Sequence, residues 1–331
     1  MRQVAVIGGG AWGTALACAA VRAGRAVKLW AYEAETVAAI NQRHENPTFL
    51  PGIALDPGIE ASSDLEAVLA AADLVLAVTP AQHLRRVLSA AEPALAKDTP
   101  VLLCAKGIEQ LSGALMNEVA AEVLPGRPLG VLSGPTFAAE VARGLPTAVT
   151  LAAADIALAD RIAAALASAS FRPYASDDVV GAEIGGAVKN VLAIACGIVV
   201  GRELGENARA ALITRGMAEI LRFGEAKGAR AETLMGLAGM GDLILTCSSQ
   251  ASRNMSLGVA LAQGQDAGEV LNGRASVAEG AHTAPILASL AAQLALAMPI
   301  VCAVNEVLYH GLAVDSAIER LLNRPLKREI G

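Results

Sequence analysis

Short apolar runs alternate with amphipathic stretches through the first half of the chain. Residues 3–7 (QVAVI) form a near-continuous β-branched run that predicts a strand, and the Ala-rich stretch 12–23, after a glycine cluster, predicts a helix. Residues 26–30 predict a second strand and 33–43 the next helix. Further buried strands are expected at 73–78, 100–104 and 128–132, with helices at 81–95 and 112–124 between them. Residues 147–151 and 171–174 extend the sheet at one edge. Strands that are apolar on both faces, separated by helices, make an α/β fold with a doubly wound parallel sheet. After about Asp178 the strand signals fade. Long Ala/Leu/Ile-rich stretches at helical spacing take over, at 182–200, 208–227, 281–296 and 300–309. The pattern therefore predicts two domains, 1–180 and an all-helical 181–331.

Composition narrows the class. The chain is 54% hydrophobic and 18% charged, which excludes disorder for most of its 331 residues. A formal charge of −6 and no basic run argue against a nucleic-acid groove. The four histidines are scattered without a second ligand at metal spacing, so no metal site is expected. Five separated cysteines, with no C-x-x-C, fit a reducing compartment and no disulfide framework. The opening MRQVAVIGGG breaks into glycines too early for a signal peptide, so a cytoplasmic location is expected. Residues 284–304 are uncharged and long enough to span a bilayer, but Pro285, Gln293 and Pro299 and the lack of flanking cations favour a buried helix.

Chemistry begins at Gly8-Gly9-Gly10-Ala11-Trp12-Gly13, a G-x-G-x-x-G that follows the first strand and opens a helix. Gly8 permits the tight turn, Gly10 lets backbone approach a pyrophosphate, and Gly13 lets helix and strand pack closely. The helix N-terminus offers free N–H groups to phosphate. A bound dinucleotide, NAD or NADP, is the expectation. Glu33 lies 20 residues past Gly13, where a carboxylate grips the adenosine ribose of NAD; it could equally complement the dipole of the next helix.

Only six of the 26 cationic residues are lysine. Lys106 (CAKGIE) follows a strand end, the edge where open α/β sheets bind ligands. Lys189 (IGGAVKNVLAIACG) sits in an otherwise uncharged stretch, where a desolvated ammonium becomes usable for proton transfer. The bland alternative for Lys189 is a surface lysine with a buried stem. SGPTFA at 133–138 follows another strand end, and GLAGMGD at 236–242 reads as a loop between helices ending in Asp242. Ser252-Arg253-Asn254 opens a helix with groups suited to a phosphate or carboxylate. Together they suggest a small anionic substrate held between the domains.

GGGAWGTALA, CAKGIE, VLSGPTFAAEVARGLPTA, EIGGAVKNVLAIACG, NARAALITRGMAE, GLAGMGDLILTC and SRN together resemble the bacterial NAD(P)-dependent glycerol-3-phosphate dehydrogenases, over residues 6 to about 280. The resemblance implies a Rossmann-type domain, hydride transfer at C2 of dihydroxyacetone phosphate or sn-glycerol 3-phosphate, and a homodimer formed through the helical domain. It implies Lys189 as acid/base, Lys106 on substrate and cofactor, and Asp242 orienting Lys189 or a substrate hydroxyl. Gly134, Thr136, Asn190, Thr246, Ser252, Arg253 and Asn254 match substrate positions, Arg253 also reaching the cofactor. Ala11, Trp12, Tyr32, Phe49, Ala138, Val277 and Glu279 match cofactor positions. The pattern departs at Tyr32-Glu33, where members carry an arginine or histidine for the NADP 2′-phosphate, so the choice between NAD and NADP stays open. Other readings are a ketopantoate reductase or hydroxyacid dehydrogenase on the same architecture, or a non-catalytic nucleotide sensor.

Overall fold

The computed structural model describes residues 1–272, 278–325 and 328. Among them are β1 (Gln3–Ile7), β2 (Ala26–Trp30), β3 (Glu45–Asn46), β4 (Leu50–Ala54), β5 (Ile59–Ser62), β6 (Leu74–Ala77), β7 (Val101–Leu103), β8 (Leu129–Ser133), β9 (Thr147–Ala152) and β10 (Phe171–Ser176). Along β1 the side chains alternate between two cores: Val4 and Val6 enter one, Ala5 and Ile7 the other. β7 does the same, with Leu102 on one face and Val101 and Leu103 on the opposite one. Neither face meets water, which is why these strands read as unbroken apolar runs. Each buried Val, Leu or Ile contributes about 1.5–3 kcal/mol over leaving it exposed.

Eight strands form one sheet in the order β10-β9-β8-β7-β6-β1-β2-β5, while β3 and β4 make a separate antiparallel hairpin. From β5 to β8 every neighbouring pair is parallel. Strand order reverses at β1, which lies between β2 and β6, so the carboxyl ends of β1 and β6 flank the switch point where such sheets bind ligands. The expected edge strands are present, but β9 runs antiparallel to β8. The cause is the connecting helix, Ala138–Arg143, whose six residues rise only about 9 Å. That is too little to carry the chain back along a strand, so β9 starts from the end where β8 stops.

The helix Ala11–Arg22 buries Gly13 through Ala20 against the sheet. At its far end the Arg22 guanidinium donates to the carbonyl of Val141 (2.9 and 3.0 Å) and to that of Ala142, closing the last turn of Ala138–Arg143. The helix expected over 81–95 is shorter, Leu84–Ala91, with tight turns on either side and Pro93 in the second. The hairpin, β5, the helix Ile156–Leu166 and the helix Val314–Leu322 were not expected from the pattern.

The chain separates into two compact units. One comprises Met1–Gly186 and Gly228–Asp242; the other comprises Ala187–Lys227 and Leu243–Gly331. The first division falls inside the helix Val179–Gly201. The described residues of the second unit form helices joined by turns, with no strand among them; Glu206–Ala226, Arg253–Ala262, Glu279–Gln293 and Pro299–Tyr309 lie wholly within it. The uncharged stretch 284–304 is not one helix: it turns between Gln293 and Pro299, where Ala295 takes a φ of 52°. The one helix among the described residues long and apolar enough to cross a membrane is Val179–Gly201, and 89% of its apolar window is buried within the protein.

Candidate active site

The glycine loop occupies the switch point. Gly8 N donates to Trp30 O (3.0 Å), and a Cβ on Gly13 would lie 1.9 Å from Gly8 O, so no side chain fits where the helix folds back on the strand end. Gly10 caps the helix, and a Cβ there would meet nothing within 4 Å, so the loop is uncrowded at the start of the helix. Ala11 and Trp12 form the first turn. Three buried polar atoms have no partner among the described residues at these strand ends: Trp12 Nε1, Thr79 Oγ1 just past β6, and Ser133 Oγ at the end of β8. Orphaned donors and acceptors beside an uncrowded helix N-terminus fit the pyrophosphate of a dinucleotide. Tyr32 is 76% exposed, with its ring edge-on to Trp30 at 6.5 Å. Glu33 stands at the N-cap of Ala34–Arg43 with no side-chain cap bond. Phe49 is in the turn between β3 and β4, its N–H donating to Asn46 Oδ1 (3.2 Å).

Lys106 follows β7, and its stem lies along the helix that carries Gly186. Its Nζ donates to Gly134 O (2.9 Å) and pairs with Asp242 Oδ2 (2.7 Å). Asp242 is fully buried and the Lys106 side chain 17% exposed. An ammonium has three donors, so one remains unengaged among the described residues. The carbonyl it holds belongs to a glycine for a reason. Gly134 has a φ of +146° and would bring a Cβ within 3.0 Å of Val149 Cα in β9. Thr136 Oγ1 also turns to Gly134 O (3.3 Å), and Ala138 begins the next helix. The Gly236–Asp242 stretch is not the loop the sequence suggested. It is a π-helical turn, with Gly241 N bonded to Gly236 O (3.0 Å), which delivers Asp242 to the start of a new helix.

Lys189 is 6% exposed and its Nζ donates to Thr246 Oγ1 (2.9 Å). Buried Asn254 donates to Asn190 Oδ1 (3.0 Å) and accepts from Gly280 N (2.9 Å), so both amides tie helices together. Ser252 caps Arg253–Ala262, its Oγ accepting from Met255 N (3.3 Å), and Arg253 stands exposed on the first turn. Glu279 opens its helix; burial pushes its carboxyl up to about 7, with Arg253 opposing the shift. Val277 lies outside the described residues. Residues missed in the sequence are Asn46 and Thr14, both fully buried and bonded to the glycine loop. Their partner is a backbone carbonyl, which leaves no mark in a pattern of side chains.

A family model described as the NAD-dependent glycerol-3-phosphate dehydrogenase N-terminus matches residues 3–159, and its C-terminal counterpart matches 178–319. The glycerol-3-phosphate dehydrogenase [NAD(P)+] of Rhodospirillum rubrum is 62% identical over 329 residues, 99% of this chain and 94% of that one. The protein of the same name from Caulobacter vibrioides is 60% identical, covering 99% and 98%. A crystal structure of glycerol-3-phosphate dehydrogenase from Coxiella burnetii superposes with a TM-score of 0.93 at 38% identity, covering 98% of this chain and 99% of that one. With both halves matched and the glycine loop at the switch point, the chain belongs to the NAD(P)-dependent glycerol-3-phosphate dehydrogenase family of oxidoreductases.

Proposed function

We propose that the chain interconverts dihydroxyacetone phosphate and sn-glycerol 3-phosphate, with Lys189 as the acid/base. A bound nicotinamide would supply a hydride to C2 in one direction and take it back in the other. As C2 gains the hydride, the carbonyl oxygen gains negative charge, and the Lys189 ammonium gives it a proton; the amine then reloads from solvent. The burial of Lys189 carries this reading. A cation 6% exposed, on a buried helix whose one other charged residue is Glu183, has given up hydration, which suits its ammonium to proton transfer in a closed site.

The unengaged donor of Lys106 suits a developing alkoxide or the cofactor. Asp242 holds that ammonium in place through the 2.7 Å ion pair. Arg253, at the amino end of a ten-residue helix, suits the substrate phosphate. Gly134, Thr136, Asn190, Ser252 and Asn254 are assigned to the substrate side. Gly8, Gly10, Ala11, Trp12, Gly13, Tyr32, Glu33, Phe49, Ala138, Val277 and Glu279 are assigned to the cofactor side, with Lys106 and Arg253 shared. The unit Met1–Gly186 with Gly228–Asp242 is the dinucleotide-binding one, and the helical unit is assigned to substrate and to a homodimer contact. The enzyme would act in the cytoplasm and supply glycerol 3-phosphate for phospholipid synthesis.

Oxidation of NADH or NADPH by dihydroxyacetone phosphate tests the reaction. Folded protein without turnover on either cofactor refutes it. Lys189→Ala should lower kcat by about 10²–10⁴-fold with dinucleotide affinity unchanged, and small exogenous amines should restore part of the rate. Near-normal turnover removes Lys189 from the chemistry.

A further inference from the structure

Asn46 touches three things at once. It is fully buried at the start of the β3–β4 hairpin and was not among the residues singled out from the sequence. Its Nδ2 donates to Gly9 O (2.8 Å) and to Thr14 Oγ1 (2.9 Å), and its Oδ1 accepts from Phe49 N (3.2 Å). Thr14 Oγ1 gives a second, longer bond to the same Gly9 carbonyl (3.4 Å). The middle residue of the glycine loop therefore has its C=O turned inward and held there by two donors.

That has a geometric result one bond further on. The Gly9–Gly10 peptide is planar and trans, so its N–H points opposite to its C=O. Fixing Gly9 O toward Asn46 turns the Gly10 N–H the opposite way, and Gly10 itself is uncrowded, since a Cβ there would meet nothing within 4 Å. Only a neutral amide can do all of this. A leucine offers no donor, and an aspartate would set a second acceptor against Gly9 O, because an ionised carboxylate has no N–H. The same side chain anchors the turn bearing Phe49, so the phosphate loop and the hairpin share one buried pin.

We infer that Asn46, seconded by Thr14, is a positioning residue for the dinucleotide: it aims the Gly10 N–H at the pyrophosphate and sets Phe49 in register with it. This rests on the dinucleotide reading of the glycine loop. It concerns affinity, because neither side chain belongs to the proton-transfer machinery.

The test uses the intact chain, with NADH as probe. For Asn46→Asp, the Kd and KM for NADH should rise about tenfold or more, the loss of one buried hydrogen bond plus an unfavourable contact. Its kcat at saturating NADH should stay within about twofold, and the KM for dihydroxyacetone phosphate should not move. Thr14→Val, nearly the same shape, should raise the Kd for NADH about threefold. A purely structural role would lower the melting temperature without this split. An Asn46→Asp protein that binds NADH like the wild type, or loses kcat with KM unchanged, overturns the inference. If Asn46→Asp does not fold, Thr14→Val decides: a folded variant with wild-type Kd overturns it. Wild-type protein that binds neither NADH nor NADPH overturns the dinucleotide reading itself, a separate outcome.

Discussion

Glu183 is a carboxyl group with no room for a charge. It is buried near the start of Val179–Gly201, where Oε1 accepts from Asn117 N (2.9 Å) and Oε2 has no partner among the described residues. Asn117 Oδ1 is likewise buried with no partner among the described residues. Burial pushes the Glu183 carboxyl up to about 8, with Glu118 adding to the shift and the Asn117 N–H opposing it. The folded chain thus holds a proton that the unfolded chain releases near pH 4.5. The associated stability is complete below that value and is lost as pH rises toward 8. Glu183→Gln keeps the shape, the acceptor and a donor without the titration. It should match the wild type at pH 5 and exceed it at pH 8 by at least about 1 kcal/mol in urea unfolding. A gap that does not grow with pH would show Glu183 ionised in the fold.

At this scale the sequence was legible where a residue broke its surroundings. Lys189 stood out as a charge in an apolar stretch, and Lys106 as a cation just past a strand. Glu183 and Asn46 did not, because an isolated polar residue looks the same whether it faces water or a buried backbone group. The Lys106–Asp242 pair spans 136 positions, a separation at which no spacing rule operates.

Between elements, glycines decide how closely helices approach. Val179–Gly201 and Arg253–Ala262 meet backbone to backbone in the second unit: a Cβ on Gly197 would lie 2.0 Å from Met255 O, and one on Gly258 would lie 2.0 Å from Ile194 O. The two contacts are reciprocal, so neither helix can retreat without losing the other's packing. Gly258→Ala should cost at least about 2 kcal/mol, even though alanine favours helix more than glycine does. Unfolding by urea measures it, and a neutral or stabilising result would show that the helices can separate. Strands β1, β6, β7 and β8 were readable because both faces are buried, and β2 by its short apolar run, with one face buried and the other partly exposed. β5 was not, since IEAS at the sheet edge carries a charge and a short alternation. The direction of β9 depends on the length of the helix before it, a property of three-dimensional reach that periodicity does not encode.

On the scale of the molecule, each compact unit is assembled from separate lengths of chain. Gly228–Asp242 completes the first one: Arg230 N bonds to Asp178 Oδ2 (2.9 Å), Ala238 enters a core of the sheet, and Asp242 reaches Lys106. A fragment ending at Gly186 would leave the Lys106 ammonium without its carboxylate and that core without Ala238. Residues 1–186 alone should therefore melt below the same fragment joined to 228–242 through a flexible linker. Equal melting temperatures would show that the returning segment adds nothing to the unit.

The Arg22 bonds to Val141 and Ala142 give this unit a mechanical property. The helix behind the glycine loop and the helix behind the SGPTF turn are fastened at their carboxyl ends, the ends remote from both loops. Joined there, they behave as two prongs of a fork. Neither prong can tilt alone, so the spacing of the two tips is set by a guanidinium that touches no ligand. A change at Arg22 would blur the alignment of both loops together, at a distance from either.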